Sequence, residues 1–388
     1  MAINDKTLED KLTKVRHQLH QHPELSNQEH QTTLFLNSYL ETLGYHIVTP
    51  QKLLTGVIAE IGPSESNVII GLRSDIDALP IAEKTGLNYA SVNEGIMHAC
   101  GHDFHMASLL GAAELLADQA NKLTGRVRLI FQPAEEIHVG AQAVAEAGGI
   151  KNLNAIIGFH NKPDLKVNEI GILSGGLMAA VDQFKVTFRG QGTHAAMPQL
   201  GNDPIVALTS TVNTLQTVVS RKTDPQSPVV VSVTHIDGGS TWNVLPDVAW
   251  FEGTVRSFDQ ASRQLAREQF YQIVNGQAAT FGLAVDISWI EGPNVVNNDS
   301  ELTPIVIEET KQHAKLLTPK PSNAGEDFSY FSQKVPSVFA FIGSAGTTDW
   351  HHDDLIIDDR GLLPAARWYF YTANRLLAHF SGTTTNDR

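Results

Sequence analysis

What this chain has least of is cysteine: a single one, Cys100, among 388 residues. A lone thiol cannot close an intrachain disulfide, so nothing in the sequence calls for an oxidising compartment. Positive charge is scarce as well. Against 42 Asp and Glu there are 28 Lys and Arg, a formal net charge of −14 with His neutral. Nucleic acid and anionic membrane surfaces both require a basic footprint, so neither is expected as a partner. No stretch approaches the ~18 uninterrupted apolar residues of a membrane span. The opening residues Met-Ala-Ile-Asn-Asp-Lys-Thr-Leu lack the apolar core of a signal peptide. A cytoplasmic protein is expected. Hydrophobic content of 42% with 18% charged residues suits a globular chain with a sizeable core. The length suits two or three domains, or one large domain with an insertion.

What is present is a concentration of chemistry around that one cysteine. Met97-His-Ala-Cys-Gly-His-Asp-Phe-His105 places His98, His102, Asp103 and His105 beside Cys100, directly before an apolar helical run from Met106 to Ala117. Thiolate, imidazole and carboxylate at the point where a loop becomes a buried helix suit a borderline-soft divalent cation such as zinc or manganese.

The rest of the chain supplies matching groups. Residues 5–43 read as two helices broken at His22-Pro23, with His17, His20, His22 and His30 expected at the surface. Short strands are expected at 57–61, 68–72, 127–131, 155–159 and 337–342. Several are apolar on both faces, as in a sheet covered by helices. Four of these strand ends deliver acidic or imidazole side chains: Asp75 and Asp77, Glu135 and Glu136, His160, and after a Gly-rich turn His351. One carboxylate after a strand is an ordinary helix cap. Four such ends together read as one site, because ligand sites of open α/β sheets lie outside the carboxyl ends of the strands.

Between about 182 and 290 the rhythm changes. Strands at 183–189, 228–235, 248–257 and 284–290 and helices at 204–221 and 260–281 follow in the order β-α-β-β-α-β, a ferredoxin-like arrangement. Flanking segments on both sides belong to the first sheet. The expectation is therefore a catalytic domain in two parts, 1–181 and 292–388, with an inserted lid and dimerisation domain at 182–291. The fold class expected is α/β, a mixed central sheet flanked by helices, plus that insertion.

Two metals ~3.5–4 Å apart can activate one water and clamp a developing tetrahedral intermediate. Such a site needs about five ligands and a spare carboxylate as general base. The adjacent pair Glu135-Glu136 suits that division of labour.

At these positions the chain resembles the aminoacylase and carboxypeptidase family of di-metal hydrolases, in the branch of hippurate hydrolases and auxin-conjugate amidohydrolases. The motifs are Leu72-Arg-Ser-Asp-Ile-Asp-Ala-Leu-Pro80, His98-Ala-Cys-Gly-His-Asp103, Phe131-Gln-Pro-Ala-Glu-Glu136, Gly192-Thr-His-Ala-Ala-Met-Pro198, Asn243-Val-Leu-Pro-Asp247, Gly253-Thr-Val-Arg256 and Glu326-Asp-Phe-Ser329. The resemblance implies Cys100, His102, Glu136, His160 and His351 as metal ligands and Glu135 as the base. It favours His351 over His352, because the family's ligand precedes a variable residue. Asp75 and Asp77 are expected to orient ligands rather than bind metal. His194 is expected to stabilise the oxyanion, and Asn243 and Arg256 to receive the substrate's carboxylate.

The function this implies is metal-dependent hydrolysis of N-acyl amino acids. Alternatives are a di- or aminopeptidase acting on short peptides, or a binding protein that kept the fold. Two divalent ions are expected, zinc or manganese first and nickel or cobalt next. The partner expected is a small N-acyl amino acid or short peptide. A homodimer or larger homo-oligomer through the lid is also expected, since an edge strand offers a pairing surface.

Overall fold

The computed structural model describes residues 4–382; the outer ends of the expected domains, at 1 and 388, lie outside them. The chain forms two compact units. The first comprises Met1–Leu177, Val296–Lys320 and Asp327–Arg388, the second Met178–Val295 and Pro321–Glu326.

In the first unit the chain runs through α1 (Asp5–Gln21), α2 (His30–Thr42), β1 (His46–Ile47), β2 (Val57–Ile61), β3 (Ile69–Asp75) and α3 (His102–Asp118). It continues with β4 (Arg126–Gln132), α4 (Gly140–Glu146), β5 (Ala155–Lys162), β6 (Glu169–Gly171) and β7 (Gly175–Met178). The second unit holds β8 (Ala180–Arg189), β9 (Thr193–His194), α5 (Pro204–Thr217), β10 (Val229–Gly238), β11 (Val244–Leu245), β12 (Val248–Ser257), α6 (Gln260–Phe281) and β13 (Ala284–Glu291). The return brings β14 (Val296–Asn298), α7 (Leu302–His313), β15 (Lys315–Leu317), α8 (Ser329–Ser332), β16 (Ser337–Gly343) and α9 (Leu362–Phe380).

Eight strands of the first unit form one mixed sheet in the order β1-β2-β4-β3-β5-β16-β6-β15. Its middle is parallel: β4 beside β3, β3 beside β5, and β5 beside β16. Every residue of β3 and β16 is buried, the mark of strands covered on both faces. Helix α3 packs against α1, α9 and β3. The backbones come close enough that a Cβ on Gly111 would meet Ala366 and Leu12 at 2.7 Å. The four parallel strands share one direction, so their carboxyl ends open on one edge of the sheet. That edge carries the candidate site.

The second unit has a four-stranded antiparallel sheet in the order β10-β12-β8-β13. β8 alternates buried and exposed residues, and Phe184, Val186 and Phe188 from its inner face pack with Phe251 of β12 and Phe270 of α6. Helix α5 starts on Asp203, which accepts from Ile205 N, with Pro204 behind it; α6 starts on Asp259, which accepts from Ser262 N. The unit begins at Met178, ahead of the expected 182, ends at Val295, beyond the expected 291, and takes in 321–326, expected in the first domain. Ala179 N donates to Ser322 O at 3.0 Å, and this isolated bridge between Met178 and Ser322 ties 321–326 to the start of the second unit. Among the described residues no helix is long and apolar enough to cross a membrane.

One surface expectation is overturned. His22 and His30 are exposed, but His20 is 1% exposed and His17 half-buried. His20 Nδ1 faces Asp103 Oδ2 at 2.9 Å and its Nε2 faces Glu83 Oε1 at 3.2 Å. His17 stacks on Tyr89 and reaches Asp359 at 2.7 Å. Carboxylates from distant segments make burial of an imidazole affordable, and helical periodicity does not reveal them.

Candidate metal centre and active site

Each strand end contributes differently. Asp75 is the last residue of β3, and Asp77 follows it. Glu135 and Glu136 sit in the tight turn between β4 and α4, where Ala134 adopts φ 52°. His160 and Asn161 lie inside the final turn of pleat of β5 rather than beyond it. Cys100 precedes Gly101, whose φ of 88° turns the chain into α3 so that His102 opens the helix. His351 arrives from the loop after β16 with φ 64°, held by its N–H on Ala99 O at 2.9 Å. A non-glycine residue in the left-handed region costs energy that the surrounding contacts must offset.

The donor atoms converge. Cys100, His102 and His160 form one group whose ligand atoms lie within 4.8 Å of one another; Cys100, Glu136 and His351 form a second, and His102, Glu135 and Glu136 a third. Cys100 Sγ is 3.3 Å from His160 Nε2, and His351 Nε2 is 3.5 Å from Glu136 Oε2. His352 belongs to no such group among the described residues.

Hydrogen bonds behind these atoms aim them. His102 Nδ1 donates to the main-chain oxygen of Asp77 at 2.9 Å, and His160 Nδ1 donates to that of Asn161 at 2.8 Å. In the neutral ring each of these bonds leaves Nε2 as the free nitrogen, that of His160 toward Cys100 and that of His102 toward Glu136. Asp77 Oδ2 accepts from the N–H of Glu136 at 3.0 Å and from Ser26 Oγ at 2.7 Å. Asp75 is occupied on both oxygens, by His105 Nδ1 at 2.6 Å and by Arg73 Nη1 at 2.9 Å. His105 Nε2 in turn accepts from Asn161 N at 2.8 Å, so neither of its nitrogens is available to a metal. His98 is buried with both ring nitrogens unpartnered, and burial pulls its pKa down to about 4.

Two observations test whether a cation suits this place. Buried His102 Nε2 and Glu136 Oε1 have no hydrogen-bond partner, a costly state unless something else satisfies them. The electrostatics agree. Burial alone would lower the pKa of His102, but Asp75, Asp77 and Glu136 outweigh it and raise it to about 10. Burial, with Asp77 and Asp75 beside it, pushes Glu136 up to about 7. Burial and neighbouring carboxylates push the Cys100 thiol well up. Without a metal the pocket thus retains protons where a divalent ion would displace them. Mixed sulfur, nitrogen and oxygen donors fit such an ion.

Comparison with known proteins decides the family. Residues 71–375 match the peptidase family M20/M25/M40. The chain belongs to that family. An N-acetyl-L-cysteine deacetylase of Bacillus subtilis strain 168 is 46% identical over 97% of this chain and 90% of its own length. A hippurate hydrolase of Campylobacter jejuni is 34% identical, over 95% of this chain and 97% of its own. Among solved structures, a Bacillus subtilis dinuclear metal-binding peptidase of the M20 family superposes with a TM-score of 0.87 at 40% identity, covering 96% of this chain and 99% of that one. As a member of this M20 group the chain is a metal-dependent hydrolase of amide bonds.

In the second unit, pairing of β9 with β11 sets His194 opposite Val244, and Ala195 N donates to Asn243 O at 3.0 Å, so His194 and Asn243 are neighbours. His194 is exposed and its Nδ1 accepts from Ala196 N at 3.1 Å. Arg256 is on β12, opposite Val181 and Val230, with its guanidinium on Thr254. Sequence reasoning missed Asn161, whose side chain donates to Cys100 O at 2.6 Å, and Trp350, whose ring lies 4.5 Å from that of His160. Their signal was adjacency, since each directly neighbours an expected ligand.

Proposed function

We propose that the chain hydrolyses the amide bond of N-acyl amino acids. Cys100, His102, Glu136, His160 and His351 hold two divalent ions, zinc or manganese before nickel or cobalt, and Glu135 is the general base. What supports the reading is the overlap of three donor groups through shared members Cys100, His102 and Glu136, with Glu135 inside one of them. Ions bound there would acidify a water and polarise the scissile carbonyl. Glu135, 5% exposed, takes the proton from the attacking water and returns it to the leaving amine. Asp77 orients His102 and Glu136 from behind, and Asp75 sets the charge that favours a cation. In the second unit, His194 is assigned to the oxyanion and Asn243 and Arg256 to the substrate carboxylate.

The chain works as a homodimer or larger assembly through the second unit. The outer strand β10, with Val230 and Ile236 exposed, supports this. A sole cysteine at a ligand position supports a reducing compartment, the cytoplasm. The test is amine release from a panel of N-acyl amino acids across several metals, with and without chelator, for the native chain and Glu135→Gln. The variant keeps its metal and fold and loses about 10²–10⁴-fold in kcat. Near-full activity of the variant would sink the base assignment.

A further inference from the structure

Resting on the reading of Glu135 as the base, the buried side chain of Asp327 acquires a role. Its carboxylate accepts from Gln132 Nε2 at 2.8 and 2.9 Å, from Arg73 Nη2 at 3.1 Å and from Ala141 N at 2.9 Å. Its own N–H donates to Glu135 Oε1 at 3.3 Å. Gln132 ends β4 and Ala141 is in the first turn of α4, so these are the two ends of the turn that carries Glu135 and Glu136. Arg73 closes the arrangement, donating through Nε to Gln132 Oε1 at 2.8 Å and through Nη1 to Asp75 at 2.9 Å. Arg73 and Gln132 are fully buried and Asp327 is 3% exposed.

An ordinary cap for α4 would need only the bond from Ala141. A buried ionic cluster is also a poor source of net stability, since apolar replacements often serve as well. What the cluster does supply is geometry. We propose that Asp327 is a positioning residue for the reaction. One carboxylate staples both ends of the 133–140 turn, and the N–H of the same residue holds Oε1 of Glu135. The base is thereby held in one rotamer while the turn beneath it cannot open.

Asp327→Asn places an amide N–H₂ against the donors of Gln132 and Ala141 and releases the staple. A displacement of ~1 Å at a reacting group costs up to about 100-fold. Asp327→Asn is therefore expected to lower kcat by about 10- to 100-fold with KM little changed. Metal stoichiometry by elemental analysis and the cooperative melt are expected to persist. In a Glu135→Gln background the same substitution adds no further loss, because it acts through Glu135. Gln132→Met, which removes the amide donor and leaves the charges, repeats the pattern more mildly and serves if Asp327→Asn does not fold. If Glu135→Gln is crippled while Asp327→Asn has native kcat, the staple is wrong and the base stands. An equal further loss in both backgrounds would likewise reduce Asp327 to a structural part. If Glu135→Gln itself stays active, the underlying reading fails first.

Discussion

Replacing His20 by Gln tests how the ligand-bearing end of α3 is anchored. Asp103, next to His102, accepts from Arg16 Nε at 2.9 Å and from His20 Nδ1 at 2.9 Å, all of it buried. Burial alone would lower the pKa of His20, but Asp103 and the hydrogen bond to Glu83 outweigh it and raise it from 6.5 to about 9. Because the folded value exceeds the unfolded one, the stabilisation is fully present below pH 6.5 and disappears as pH rises through 9. The difference corresponds to roughly 3 kcal/mol. Glutamine retains a donor but carries no charge. Urea unfolding of the native chain and His20→Gln, both in chelator so that metal affinity does not contribute, should show a gap that narrows by roughly 3 kcal/mol between about pH 6 and pH 10. A gap of constant size across that range would refute the charged-imidazole account and leave only a packing contribution.

Removing metal should destabilise the first unit. A divalent ion at 100 times its dissociation constant adds about 2.7 kcal/mol to the native state, so chelator should lower the melting temperature and added ion restore it. A melt indifferent to chelator would count against the donor set. The same dependence should weaken as pH falls, since protons compete for His102 and Glu136, whose pKa values stand at about 10 and about 7 in the metal-free site; titration calorimetry at pH 6 and pH 8 measures it. Gly101→Ala should cost roughly 2–4 kcal/mol, from left-handed backbone and from overpacking. Its Cβ would fall 2.5 Å from Asn161 Nδ2 and 2.6 Å from Ile357 Cδ1. A loss under about 0.5 kcal/mol in urea unfolding would show that the turn relaxes freely.

The parts of this molecule that could be read beforehand are those where local pattern and burial coincide. Strands β3, β4, β5 and β16 are buried almost throughout, as in a sheet covered on both faces, and chemistry-bearing residues at or just past their ends mark the candidate site. The alternation in β8 disclosed the second unit in the same way. What stayed hidden was non-local. His20 has polar helical neighbours and becomes a core residue only through Asp103 and Glu83, more than 60 positions away. Asp327 meets Gln132 and Arg73 across 195 and 254 positions, and no local periodicity encodes such a meeting. The strands β6 and β15, three residues each, are too short to carry a period at all.

Because Cys100 holds the chain's entire thiol content at the junction of two donor groups, the protein comes with a built-in reporter. Any sulfhydryl-directed label, absorbance band or mass tag that registers on it speaks for the candidate metal centre and for nowhere else. Occupancy and solvent entry at that centre can thus be followed in the native chain, with no engineered handle to disturb them.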